Sequence, residues 1–102
     1  MLRDLSAADF RPFLHQQVQM QDRAGVAIAA ELTEVNEVRL RPEEVLRRER
    51  KEPFSLVIRI GGSQQLDQGT YRIDFPGLGG LDIFFVPIGR DEEFCYYEAV
   101  FN

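Results

Sequence analysis

From Phe54 to the end of the chain, apolar and polar residues alternate with a period of two, a pattern that suits strands and not helices. Phe54, Leu56, Ile58 and Ile60 alternate with Ser55, Val57 and Arg59, and Tyr71, Ile73 and Phe75 alternate with Thr70, Arg72 and Asp74. A period of two sends successive side chains to opposite faces of a strand, whereas a helix needs apolar residues three and four apart. Turn sequences punctuate the run: Gly61-Gly62-Ser63, Gln68-Gly69, Pro76-Gly77-Leu78-Gly79-Gly80 and Asp91-Glu92-Glu93. Between them Leu81–Ile88 reads as a strand apolar on both faces. Phe94–Phe101 reads as a last strand, with Cys95, Tyr97, Ala99 and Phe101 on one face and Phe94, Tyr96, Glu98 and Val100 on the other.

The first part of the chain carries the same period less cleanly. Val18 and Met20 alternate with Gln17, Gln19 and Gln21, Asp22-Arg23-Ala24-Gly25 reads as a turn, and Val26, Ile28, Ala30 and Leu32 alternate again. The apolar positions then jump by three, to Val35 and Val38, with Leu40 beyond. A strand that continues here needs a β-bulge or sharp bend near Thr33–Glu37. A helix is the competing reading, because Ile28, Leu32 and Val35 also fit a period of 3.6. Upstream, Ser6-Ala7-Ala8-Asp9 has the form of a helix N-cap followed three residues later by an acid. It predicts a short amphipathic helix over about Ala7 to His15, with Pro12 early enough to be tolerated. Phe10 and Leu14, with Leu5 as a staple, would make that helix a lid on one end of the core. Glu43 to Glu52 holds eight charges in ten residues, four acids and four bases, and reads as a solvated mixed-charge loop.

These signals predict a mainly β protein, a small antiparallel barrel or sandwich of six to seven strands with a short N-terminal helix, in a single β-rich domain over residues 1–102. The 102 residues carry 44% apolar and 28% charged residues, enough for a core without disulfides. One cysteine, Cys95, cannot form an intrachain disulfide, which points to the cytoplasm. The N-terminus has no apolar core of signal-peptide type and no run reaches the length of a membrane span, so no membrane association is expected. The net charge of −5 opposes binding to phosphate backbones. Tyr71, Tyr96 and Tyr97 with Arg59 and Arg72 could imitate an aromatic, basic nucleic-acid face, but nothing clusters them, and no nucleic-acid partner is expected.

Four segments together point to a family. Arg50-Lys51-Glu52-Pro53-Phe54-Ser55-Leu56, Gln68-Gly69-Thr70-Tyr71-Arg72, Leu81-Asp82-Ile83-Phe84-Phe85-Val86-Pro87-Ile88-Gly89 and the ending Tyr97-Glu98-Ala99-Val100-Phe101-Asn102 resemble an uncharacterised bacterial domain family of about 100 residues, a domain of unknown function. Its members also begin with a short Phe-containing segment like Leu5–Leu14. The resemblance spans nearly the whole chain and carries no activity with it. It implies a role as component or accessory of a phage-tail-like or other bacterial assembly. The charged Pro42–Glu52 stretch is longer than the family pattern.

Residues able to do chemistry are sparse. Nucleophilic catalysis needs a nucleophile beside an oriented base, and the single cysteine, Cys95, and single histidine, His15, read instead as a buried small hydrophobe and a surface residue at a helix end. Zinc sites need several Cys or His ligands, and Asp91-Glu92-Glu93 after Gly89 is the nearest approach to an oxygen-ligand site, better read as a solvated hairpin loop. Gly77-Leu78-Gly79-Gly80 lies between strands and lacks the Lys-Ser/Thr of a phosphate loop. A carboxylate pair for acid–base work could be drawn from Asp67, Asp74, Asp82 and Glu98, with Asp74 and Asp82 placed to face each other across one hairpin, but these two occupy polar-face positions that read as solvent-exposed. The sequence therefore predicts no enzyme: no catalytic, cofactor-binding or metal-binding residue, and no cofactor.

A surplus of apolar faces is more suggestive. Leu81, Ile83 and Phe85 oppose Phe84, Val86 and Ile88, and Phe94, Tyr96 and Val100 oppose a face already apolar, although an antiparallel strand ordinarily shows one face to water. Either Phe10, Phe13 and Leu14 cover the second face, or a partner does. The reading is a non-enzymatic interaction or structural module, acting through Phe84, Val86, Tyr96 and Val100 on a protein partner or in a homo-oligomer, with the C-terminal strand a candidate edge for strand addition. The alternative is a small-ligand-binding β-barrel with Tyr71, Phe85 and Tyr97 lining a cavity.

Overall fold

A computed structural model describes residues 5–37, 53–62 and 65–101. Six strands form there: β1 (Gln17–Gln21), β2 (Ala27–Glu37), β3 (Phe54–Gly61), β4 (Gly69–Phe75), β5 (Gly79–Arg90) and β6 (Phe94–Phe101), preceded by α1 (Ala7–Phe10) and a 3-10 turn (Arg11–Phe13). They close into an antiparallel barrel in the order β1-β2-β3-β6-β5-β4. The strand expectations over residues 17–37 and 54–101 hold, and strand wins over helix at Ile28–Val35. Val38, Leu40 and the charged Pro42–Glu52 segment lie outside the described residues.

The topology is two three-stranded meanders, β1-β2-β3 and β4-β5-β6, sealed along two seams. One seam is long, running from Phe54↔Phe101 to Gly61↔Phe94 between β3 and β6. The other is short, from Gln19↔Asp74 to Gln21↔Arg72 between β1 and β4. The expected edge at the C-terminal strand is therefore corrected. β6 lies between β3 and β5, because closure of the sheet removes edges altogether.

Each meander bends at its middle strand, and each bend is a bulge. In β2 the register with β3 shifts between Leu32 and Glu34, within the stretch where the apolar spacing jumps. One extra residue there returns Val35 to the inner face, opposite the buried Leu56. In β5 the register with β6 shifts between Pro87 and Gly89. The first half of β5 pairs with β4, from Phe75↔Gly79 to Gly69↔Phe85, and the second half pairs with β6 from Val86↔Glu98 onward.

Alternation fills the interior. Val18, Met20, Ile28, Ala30, Leu32, Phe54, Leu56, Ile58, Ile60, Ile73, Phe75, Ile83 and Phe85 all point inward and are buried. Each large side chain so buried contributes roughly 1.5–3 kcal/mol relative to exposure.

One end of the barrel is plugged from the N-terminus. The Asp9 carboxylate accepts hydrogen bonds from the Ser6 backbone N–H (2.7 Å) and hydroxyl (3.2 Å), fixing the start of α1. Phe10 is fully buried, with its ring centroid 5.1 Å from Phe75, 5.7 Å from Phe54 and 5.9 Å from Phe101. Phe54 and Phe101 stack at 4.5 Å across the long seam. The helix is shorter than the expected Ala7–His15 because Pro12 has no N–H and its ring clashes with the carbonyl four residues back. The chain tightens to a 3-10 turn and leaves through His15 at φ 67°.

The other end is crossed by the chain. β3 and β4 are three places apart in either direction round the barrel. In the connection between them, residues 65–68 lie across the barrel mouth as a strap.

Candidate functional site

The four candidate interaction residues separate into two environments. Phe84, Val86 and Val100 are exposed, at 51%, 37% and 57% of their surface, on the outer face of β5 and β6. Val86 stands opposite Glu98, which places Val100 two residues further along the same face, diagonal to Val86. Phe84 is laddered to Thr70 on β4 and Val100 to Ser55 on β3, so the two flank the place where β5 and β6 part. The described residues expected to cover this face from the N-terminal helix lie elsewhere. Phe10 and Phe13 pack against Phe75 at the barrel end instead.

Tyr96 belongs to a polar cluster. Its hydroxyl donates to Asp91 Oδ2 at 2.7 Å. Asp91 Oδ1 accepts from the backbone N–H groups of Phe94 (2.7 Å) and Glu93 (2.9 Å), closing the β5–β6 turn. Beside them the Arg59 guanidinium lies 3.9 Å above the Phe94 ring and pairs with Glu31 at 3.0 Å. The Tyr96 hydroxyl, followed by the two backbone donors, holds the Asp91 carboxyl below its ordinary range. The same bond to Asp91 raises the Tyr96 phenol, and the bond to Glu31 raises Arg59. A shallow polar depression of about 420 Å³ opens over Arg59, Asp91 and Tyr96.

At the strapped end, two inward tyrosines hold the crossing chain. The Tyr97 hydroxyl accepts a hydrogen bond from the Leu66 N–H at 2.8 Å, and the Tyr71 hydroxyl donates to the Asp67 carbonyl at 2.6 Å. Burial raises the Tyr97 phenol, with the Leu66 N–H opposing it. Arg23 secures the strap from the β1–β2 turn by donating to the Gln68 carbonyl at 3.0 Å. Its guanidinium lies over the Cα of Gly69, where a side chain would collide with it. Clefts open on both flanks of the strap. One of about 380 Å³ is lined by Leu66, Ile88, Arg90, Cys95 and Tyr97 among others, and one of about 230 Å³ by Asp22, Arg23 and Tyr71. Tyr71, Phe85 and Tyr97 all point inward as expected, but as buried members of the core.

The remaining candidates are dispersed. His15 is exposed, its backbone N–H bonded to the Leu32 carbonyl on β2, while Cys95 is buried on β6 with β3 between them. Asp74 and Asp82 do not face each other. Asp74 is in register with Gly80, and Asp82 with Arg72, to which it pairs at 3.5 Å. The register displaces them because the turn Pro76-Gly77-Leu78 is short, with Gly77 at φ 89° and the Leu78 N–H bonded to the Phe75 carbonyl. Among the described residues no group of three or more His, Cys, Asp or Glu side chains is placed to hold a metal. None of the described helices is long and apolar enough to cross a membrane.

Fold and surface together define a small, closed, six-stranded antiparallel barrel, plugged by a helix at one end and strapped at the other. The chain belongs to the family described as Domain of unknown function (DUF6916), whose model matches residues 5–101. No curated protein and no solved structure matches it.

Proposed function

We propose that this barrel is a non-enzymatic interaction module that docks a protein partner, or a second copy of itself, on the outer face of β5 and β6. The observation that carries this reading is the exposure of Phe84, Val86 and Val100 on one face where two strands part. Isolated exposed apolar residues are ordinary, whereas neighbouring ones that include an aromatic mark interaction sites. Tyr96, tied to Asp91, belongs at the polar rim of such a surface and not at its apolar centre. A lone buried cysteine favours a cytoplasmic setting. The family resemblance is the only support for membership of a phage-tail-like assembly.

The test compares the wild type with a Phe84→Ser/Val100→Ser variant by light scattering over a range of concentrations and by affinity capture. Both positions are exposed, so circular dichroism should be unchanged. The wild type should associate with itself or retain a partner, and the variant should do neither. A wild type that stays monomeric and retains nothing overturns the reading.

A further inference from the structure

The β5 bulge does more than bend the strand. Strict alternation from the inward Ile83 and Phe85 would turn Arg90 outward. The extra residue between Pro87 and Gly89 shifts the phase, so that Arg90 stands in register with the buried Cys95. Directly opposed residues on paired strands share a face. Arg90 therefore lies on the inner side of the sheet at the barrel mouth. There it borders the cleft of about 380 Å³ floored by Cys95 and Tyr97 and walled by Leu66 of the strap and Ile88 of the bulge.

Arg90 is also the one arginine without a partner among the described residues. Arg11 pairs with Glu37, Arg59 with Glu31 and Arg72 with Asp82, and Arg23 donates to the Gln68 carbonyl. A bulge is a recognised device for re-aiming a side chain at a site. The volume falls within the roughly 300–1,000 Å³ typical of small-molecule sites. A guanidinium offers two parallel donors that match a carboxylate. Leu66 and Ile88 offer apolar walls, and among the described residues Asp67 is the only acid lining the cleft.

We propose that this cleft binds a small monocarboxylate with an apolar body, its carboxylate met by Arg90 and its body held between Ile88 and Leu66 over the Tyr97 ring. The site is separate from the outer face of Phe84 and Val100, and it stands or falls independently of docking there.

The test is a titration of the whole chain, labelled for two-dimensional amide NMR, with phenylacetate and with phenethylamine, which shares the ring but carries the opposite charge. Phenylacetate should shift the amide signals of Leu66, Ile88 and Cys95, and phenethylamine should not. Arg90→Gln should weaken phenylacetate binding about tenfold or more, the loss expected for a charge-assisted hydrogen bond. Arg72→Gln, on the outer wall, makes the same change in net charge and should leave binding unaltered. The proposal is overturned by an absence of shifts at millimolar phenylacetate, by equal binding of phenethylamine through Asp67, or by binding indifferent to Arg90→Gln.

Discussion

Tyr97, buried on β6, accepts a hydrogen bond at 2.8 Å from the backbone N–H of Leu66, which belongs to the strap across the barrel mouth. Tyr97→Phe keeps the ring and leaves that N–H unsatisfied, which costs about 1–3 kcal/mol. Urea denaturation should show the loss. The Cys95 thiol under the strap should also react faster with a thiol reagent in the native state. An unchanged reaction rate would show that the strap is held by its apolar contacts alone.

Phe10 joins α1 to three strands by ring contacts with Phe54, Phe75 and Phe101. Phe10→Ala leaves a cavity at the plugged end and should cost about 3–5 kcal/mol. Phe84→Ala removes a ring of similar size from the exposed face and should stay within about 0.5 kcal/mol of wild type. Equilibrium unfolding of the two variants side by side measures the contrast, and equal losses would contradict this division between plug and surface.

Asp91 carries the acid dependence of the β5–β6 turn. Its carboxyl is held below the ordinary range by the Tyr96 hydroxyl, then by the N–H groups of Phe94 and Glu93. A group with a depressed folded-state pKa stabilises fully above its unfolded value, about 3.9 for Asp, and its contribution is lost as pH falls through the folded value. The wild type should therefore lose stability on acidification below that range more steeply than Asp91→Asn. Denaturation midpoints across the acid limb check this, and parallel profiles would refute it.

His15 adopts φ 67°, a left-handed conformation that costs an L-residue roughly 1–2 kcal/mol and glycine almost nothing. His15→Gly should hold or raise the melting temperature, because relief of strain offsets the greater freedom of the unfolded chain. His15→Val, β-branched, should lower it. The reverse order in a thermal melt would mean that the imidazole contributes a contact of its own.

The strands of this fold are legible where one face is apolar and the other polar, as in Phe54–Ile60 and Thr70–Phe75. The β2 bulge is legible for the same reason, since an apolar spacing of three between Leu32 and Val35 has no other reading within a strand. The β5 bulge is hidden because Leu81–Ile88 is apolar on both faces and an added residue changes nothing visible. Nothing in the sequence therefore signals that Arg90 turns inward. Strand parity alone places Tyr96 with Phe84 and Val100. What separates it is a hydroxyl that reaches Asp91 five residues away, and parity carries no information about such a bond. Closure through β1 and β4 is equally silent, because the outward face of β1 is Gln17, Gln19 and Gln21, which names no neighbour.

The strap between β3 and β4 makes this barrel a complex of two three-stranded sheets that share one covalent tether. Cut within the strap, the chain becomes two fragments, one carrying α1 and β1–β3 and the other β4–β6. Their reassembly would rest on the Phe10 plug, the long seam and the short one. A short tether supplies a partner at an effective concentration in the millimolar range. The intact protein thus gains from one crossing of its own mouth what separate fragments would need concentrated solution to recover.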